Sequence, residues 1–312
     1  MLNLQGTGRV QKIVGRKKDG SIEVVQDLLC ARKHVIDNNW KHIKRAKKLF
    51  AFVSSPKIYN QKRMRKKVQA WCHVFENPQK FLPKKVPSIL LPESDFIDSS
   101  LLRYASPPIE SYAYDYFYFT INARSGIENK GLSTFIDILP ALSRHKLRGL
   151  VIVYFPNSGK SKNFVVPLSR TQKGILRTYK KYVKYHWGIL DERGMDRCMS
   201  QCRFGLFPNT VDNSPRIISE CLSRNTPILV NKKIHGGWHY VSKQTGALFT
   251  IKDIEKKIEF MLNNKFNPRE YYESNFGFDR SSQRLASFLN PIFDYSYTHM
   301  CFKAFKARLK QV

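Results

Sequence analysis

From Tyr114 onward the chain alternates short β-rich apolar runs with stretches of helical period, and few folds accept that order. Strands separated by helices run parallel, because only a parallel pair needs a connection long enough to hold a helix. The strand candidates are residues 114–121, 149–155, 182–186, 203–207, 227–231 and 247–250. Most are uninterrupted apolar runs, as expected of strands covered on both faces. Between the first two, Leu132, Phe135, Ile136, Leu139 and Leu142 fall at helical spacing and define one buried stripe. Further helices are expected over 171–181, 192–201, 215–223 and 251–262. This half therefore reads as a doubly wound α/β domain. The tail from 268 to 312 also reads as mainly helical, with Pro291 interrupting it.

The first 110 residues carry a weaker pattern. Residues 22–29, 49–53 and 88–91 suit strands, and 62–75 suits a helix between them. Residues 92–108, rich in Pro, Ser and acidic side chains, suit a linker. The expected organisation is a basic domain over 1–110, a Rossmann-like domain over 111–275, and a helical segment over 276–312 packing back on the first. At 312 residues the chain is comfortable for two domains. Its 21 Phe and 15 Tyr exclude wholesale disorder.

Charge is the compositional outlier. There are 54 Lys and Arg against 24 Asp and Glu, a formal +30 that attracts any polyanion without choosing among nucleic acid, anionic lipid and nucleotide. Residues 1–90 hold 21 of the basic and five of the acidic side chains, so the excess is densest at the front. The runs KHIKRAKK (41–48) and KRMRKK (62–67) suit either a solvated face or contact with a polyanion or an anionic membrane. The longest apolar run falls far short of the ~20 residues that span a bilayer, and the opening MLNLQGTGRVQ lacks an apolar signal core. A soluble, cytoplasmic protein is expected, with its six scattered cysteines reduced.

The segment 207–231, FPNTVDNSPRIISECLSRNTPILVN, is the most informative about chemistry. Ser214 followed by Pro215 signals a helix start, since serine caps free amides and proline fits the first turn. A helix opening just after a strand presents unpaired N–H groups and a positive dipole end, which together bind phosphate. Asp212 in the preceding loop and Glu220 inside the helix stand eight positions apart, D-x7-E. Carboxylates do not serve the phosphate itself, but they accept hydrogen bonds from the hydroxyls of a sugar or ribose joined to it. The plainer alternative leaves Asp212 a loop residue and Glu220 a solvated helix residue.

This pattern resembles the retaining glycosyltransferases of the two-domain GT-B type, especially family 4, which carry E-x7-E before a short helix, a turn and a buried strand. Here Asp212 stands for the first Glu, Glu220 for the second, and Asn225-Thr226-Pro227 for the turn. Upstream, Arg124 and the pair Lys130-Gly131 follow the strand 114–121 at the family's spacing. Downstream, Gly236-Gly237 and Thr245-Gly246 match its Gly-Gly turn and the Thr-Gly before its last strand. Exostosin-type transferases, which invert, also resemble this segment, so the stereochemistry stays open.

The resemblance implies a GT-B-like α/β fold of two Rossmann-type domains, a short N-terminal one and a C-terminal one that binds a nucleotide-sugar. It implies that Arg124 and Lys130 hold the donor diphosphate, and that Asp212, with Asn213, Ser214 and Pro215 beside it, meets the transferred sugar. Glu220 would take the ribose, Gly236 and Gly237 would line the donor site, and Trp187-Gly188 would lie near the base. The expected partners are the nucleotide-sugar donor, which is a substrate, and a glycan acceptor. Neither cofactor nor metal is expected, the two cations and the helix end supplying the positive charge. The contrasting reading is a non-catalytic nucleic-acid-binding protein on an α/β scaffold.

Rival motifs are weaker. Asn157-Ser-Gly-Lys-Ser161 lacks the first glycine of a P-loop, whose place Tyr154 takes. Glu93-Ser-Asp95 resembles a D-x-D metal motif or is a plain acidic pair. Cys198 and Cys202 lack the C-x2-C pairing of a zinc site and read as buried thiols, and His73 as a packed histidine or an acceptor-side residue.

Overall fold

The computed structural model describes residues 11–30, 40–46, 48–53, 67–99, 112–121, 129–154, 168–188, 190–212, 215–302 and 310. By its internal contacts the chain divides into one unit of Met1–Ile97 with Asn275–Val312 and a second of Asp98–Ser274.

The second unit is a six-stranded sheet, with β6 (Tyr114–Ile121), β7 (Gly149–Tyr154), β8 (Val183–Trp187), β9 (Cys202–Phe207), β10 (Ile228–Asn231) and β11 (Gly246–Phe249). Its order is β11-β10-β9-β6-β7-β8 and every pairing is parallel. The chain thus starts in the middle, winds outward to β8, returns beside β6 as β9 and winds outward the other way. Helix α2 (Leu132–Arg144) follows β6, α3 (Arg170–Thr178) follows β7, α4 (Glu192–Ser200) follows β8, α5 (Arg216–Ser223) follows β9 and α6 (Ile254–Asn263) follows β11, while α7 (Pro268–Asn275) spans the end of the unit. The expected stripe on α2 is real: Phe135, Ile136, Leu139 and Leu142 are buried in one core with Tyr116, Tyr118, Val151 and Leu206. Helix α3 starts on a capping box, the Ser169 side chain taking the Gln172 N–H while the Gln172 side chain takes that of Ser169.

The first unit is also six-stranded but mixed. Strands β1 (Gln11–Arg16), β2 (Ile22–Cys30), β3 (Phe50–Val53), β4 (Ala70–His73), β5 (Ser88–Leu90) and β12 (His299–Phe302) lie in the order β12-β1-β2-β3-β4-β5. Those from β2 to β5 are parallel, and β1 is antiparallel to both β2 and β12. A short helix α1 (Trp40–Arg45) precedes β3, and α8 (Phe278–Phe293) packs Leu285, Leu289 and Phe293 into the core. The unit boundary lies ahead of residue 110 because Phe96 packs edge-on against Phe278 and Phe302.

Residues 70–73 are a strand, not part of a helix: Ala70, Trp71 and Cys72 are fully buried on a strand paired between β3 and β5, and a short run apolar on every face has no period to tell strand from helix. Pro291 lies inside α8 without breaking it, two residues before its end, where the lost N–H costs one bond of the last turn. The described part of the expected linker is packed, with Ser94, Asp95, Phe96 and Ser99 buried.

Candidate active site

The order of the parallel sheet fixes where chemistry is easiest to build. Between β6 and β9 the winding reverses, so the loops leaving their carboxyl ends diverge to opposite faces and open a crevice at that point. The loop after β6 leads to Lys130, and the loop after β9 leads to Asp212. Lys130 Nζ stands 2.5 Å from Asp212 Oδ2, with the side chains 18% and 14% exposed. Asn209 Nδ2 donates to the same oxygen at 2.9 Å.

Local backbone holds this pair in place. Gly131, in the left-handed region at φ 74°, opens α2 and runs so close to the β9 loop that a Cβ there would fall 2.2 Å from the Pro208 carbonyl oxygen. The Tyr118 hydroxyl, from β6, donates to the Lys130 carbonyl at 2.9 Å. On the other side, the Gly236 N–H donates to the Asp212 carbonyl at 3.0 Å. Gly237, at φ 83°, passes so near the first turn of α5 that a Cβ would meet Ile218 Cδ1 and Pro215 Cγ at 2.9 Å. The Gly236-Gly237 turn therefore ties Asp212 to the start of α5.

Helix α5 opens at Arg216, one residue later than the Ser-Pro reading, with Pro215 in the cap position. Glu220 is buried within it, 7% exposed, and its Oε1 forms an ion pair with the Arg216 guanidinium, 3.2 Å from Nε. The solvated-helix alternative for Glu220 is thereby excluded. Arg224 closes the helix through a buried ion pair with Asp196 and a 2.9 Å bond to the Glu220 carbonyl, which fixes the far end of α5.

The structure brings together Lys130, Asp212, Pro215, Gly236 and Gly237. Arg124, Asn213 and Ser214 lie outside the described residues, as does the P-loop-like 157–161. Trp187 and Gly188 close β8, which β7 separates from β6, so they stand two strand spacings away, about 10 Å. Trp187 is 60% exposed and stacks on Tyr185 at 5.8 Å. Asn209 and Arg216 were not singled out from the sequence; their only signal was their position in FPNTVDNSPR, on either side of the first carboxylate.

The rival motifs resolve into packing. Asp95 is fully buried and faces Arg284 at 3.6 Å, with Ser281 Oγ donating to its carbonyl. His73 is 4% exposed, stacks on Phe75 and takes that residue's N–H on Nδ1. Burial pushes the Cys202 and Cys221 thiols well above their ordinary range, which suits packing rather than nucleophilic or ligand roles. Among the described residues no group of three or more His, Cys, Asp or Glu could hold a metal ion, and no helix is long and apolar enough to cross a membrane. In the basic runs, Lys67 Nζ donates to the Lys44 carbonyl and Lys48 Nζ to that of Phe293, so both also serve the fold. Residues 62–66 lie outside the described residues.

No protein-family model matches the chain, and no curated protein does. Solved structures do. Sucrose-phosphate synthase from Thermosynechococcus elongatus aligns with TM-score 0.56 at 12% identity, over 84% of this chain and 72% of that one. HepE from Anabaena, solved in complex with UDP, aligns with TM-score 0.58 at 14% identity, over 83% and 76%. A glycosyltransferase from Rickettsia africae aligns with TM-score 0.58 at 12% identity, over 86% and 77%. Likeness at this identity concerns the fold, and with the strand order above it shows that the chain has the α/β fold of the GT-B glycosyltransferases.

Proposed function

We propose that this protein is a glycosyltransferase that binds a nucleotide-diphosphate sugar at the crevice between β6 and β9 and passes the sugar to a glycan or other acceptor. The observation that carries the reading is the Lys130–Asp212 pair, a cation and a carboxylate built from two loops 82 residues apart at the one point where the sheet's winding reverses. A diphosphate donor has two needs there. Its phosphates need positive charge that grows in value as the bond to the sugar breaks, and its hydroxyls need acceptors.

Lys130 supplies a fixed positive charge within reach of the leaving diphosphate, and the N-terminus of α5 adds its dipole and free amides. Arg124 is assigned the second cation on the family resemblance. Asp212 accepts from hydroxyls of the transferred sugar, held in orientation by Asn209. Glu220, inside α5, accepts from the ribose. Trp187 and Gly188 lie at the carboxyl edge of β8 on the base side. HepE, one of the structural neighbours, was solved with UDP and glucose, which fits this donor chemistry. Within the GT-B fold we favour the family-4-like, retaining reading and a reaction that needs no metal.

The test is release of nucleoside diphosphate from a panel of nucleotide-sugars, with and without chelator. The expected result is turnover of at least one donor, insensitive to EDTA and lost in Lys130→Ala. Donor cleavage that EDTA abolishes would remove the metal-free mechanism, and cleavage unaffected by Lys130→Ala would remove the site.

A further inference from the structure

Both carboxylates assigned to the donor are held by cations of this chain. Lys130 pairs with Asp212 at 2.5 Å and Arg216 with Glu220 at 3.2 Å. Arg216–Glu220 has the i,i+4 spacing of ordinary helix pairs, but those are solvated at both ends, whereas the Glu220 side chain is 10% exposed. Both pairs rest on one support, the Gly236-Gly237 turn, which binds the Asp212 carbonyl and packs against the first turn of α5.

This arrangement has a cost for any ligand that brings phosphate alone. A bare diphosphate attracted to Lys130 or Arg216 arrives beside Asp212 or Glu220 and is repelled by a carboxylate in a half-dry site, where screening is weak. A complete donor brings sugar and ribose hydroxyls as well, which give the carboxylates new donors as the cations turn to phosphate. We propose that the two ion pairs exchange partners on donor binding, that Arg216 is a further phosphate-binding residue, and that the carboxylates make the site discriminate against bare diphosphates such as inorganic pyrophosphate. The inference rests on the donor-site reading above and adds to it a specificity device and a residue.

Removing either carboxylate is therefore expected to tighten binding of one class of ligand, bare diphosphates. Calorimetric titration of wild type, Asp212→Asn, Glu220→Gln and Arg216→Gln with inorganic pyrophosphate and with a nucleoside diphosphate panel (UDP, GDP, ADP) tests it. Asp212→Asn and Glu220→Gln are each expected to bind pyrophosphate about three- to tenfold more tightly, the scale of one partly exposed charge interaction. Arg216→Gln is expected to bind it several-fold more weakly. Asp212→Asn is expected to gain for the nucleoside diphosphate too, whereas Glu220→Gln, whose neutral carboxamide oxygen is a weaker ribose acceptor than the carboxylate, gains mainly for pyrophosphate. Thermal unfolding of each variant confirms that it is folded, and Glu220→Gln keeps the test standing should Asp212→Asn not fold.

Pyrophosphate affinity unchanged or reduced in the folded carboxamide variants overturns the inference, while selective nucleoside diphosphate binding by wild type would leave the donor-site reading intact. The converse also separates the two. If wild type prefers no nucleoside diphosphate over pyrophosphate, yet the carboxamide variants tighten pyrophosphate as predicted, the discrimination against bare diphosphate by the two carboxylates stands, while the glycosyltransferase reading and the donor-driven exchange fall.

Discussion

The two six-stranded sheets of this protein solve the same burial problem in different ways. In the second unit every described strand is parallel, and Lys130 and Asp212 meet where the winding reverses between β6 and β9. In the first unit the parallel part, β2 to β5, is extended by an antiparallel β1 and then by β12, which comes from the far end of the chain. Residues nearly 300 apart pair directly, Ile13 opposite Phe302, and α8 covers the core beside them. The second unit thus brings Lys130 and Asp212 together through its winding, while the first depends on a distant segment for closure.

The strongest way to break this comparison is at β12. Met300 is fully buried there, and Met300→Ala is expected to destabilise the first unit by about 2 to 5 kcal/mol, the range for large buried truncations. Hydrogen exchange is expected to accelerate over β1 to β5 and to stay unchanged over β6 to β11. Equal acceleration in both sheets would show that the division into units has no energetic meaning.

Next in size is charge in the crevice. Lys130→Ala is expected to lower turnover by about 2 to 4 kcal/mol in the barrier, as for the loss of one preorganised stabilising donor, with the melting temperature little changed. Lys48→Ala, which removes the bond to the Phe293 carbonyl and the cation over the Tyr295 ring, is expected to do the reverse: a stability loss of about 1 kcal/mol and no loss of turnover. Turnover assays beside denaturant titrations separate the two.

Gly131→Ala sharpens the link between fold and crevice. The left-handed backbone and the Pro208 carbonyl leave no room for a methyl group, so the substitution is expected to cost about 1 to 3 kcal/mol in a denaturant titration. It is also expected to raise the KM for donor through the displaced Lys130. Normal stability and KM would contradict the close approach of the two loops.

The smallest effect concerns acid. The Ser99 hydroxyl, 2.7 Å away, and then Arg269 hold the Glu273 carboxyl below its ordinary value of 4.5. A depressed folded value stabilises at neutral pH, and that contribution fades as the pH falls below 4.5 through the folded value. Ser99→Ala is expected to make the acid limb of the stability profile shallower and to leave the first unit's exchange rates alone, which pH-dependent denaturation with hydrogen exchange would show.

How much was legible in the sequence follows the same division. The spans of β6, β7, β9 and β10 lie within a residue of expectation because strands buried on both faces leave uninterrupted apolar runs between helical periods. Strand β4 has the same kind of run, but it is only four residues long and follows directly on a basic stretch, so its pattern does not stand apart. Strand β1 passed unnoticed although Asp19-Gly20 is a hairpin signal, Ser21 N–H bonding Asp19 Oδ1 across the turn. Strand β12 follows a long helix and is ordered by a partner at the other end of the chain, which no local pattern reveals. In the crevice, the resemblance pointed to Lys130 and Asp212 as residues meeting one donor. It did not show that they meet each other, because that depends on β9 returning beside β6. Arg216 and Asn209 matter only once that adjacency is known.

The central claim is that the donor binds at the β6–β9 reversal in the second unit rather than on the basic surface of the first. Hydrogen exchange with and without a saturating nucleoside diphosphate tests this most directly, since a bound ligand protects the amides it orders. The account predicts protection concentrated in residues 129–135, 208–212, 215–223 and 231–238, lost in Lys130→Ala. Protection confined to the first unit, or replaced there by an equal response to any polyanion that fades with salt, would contradict it.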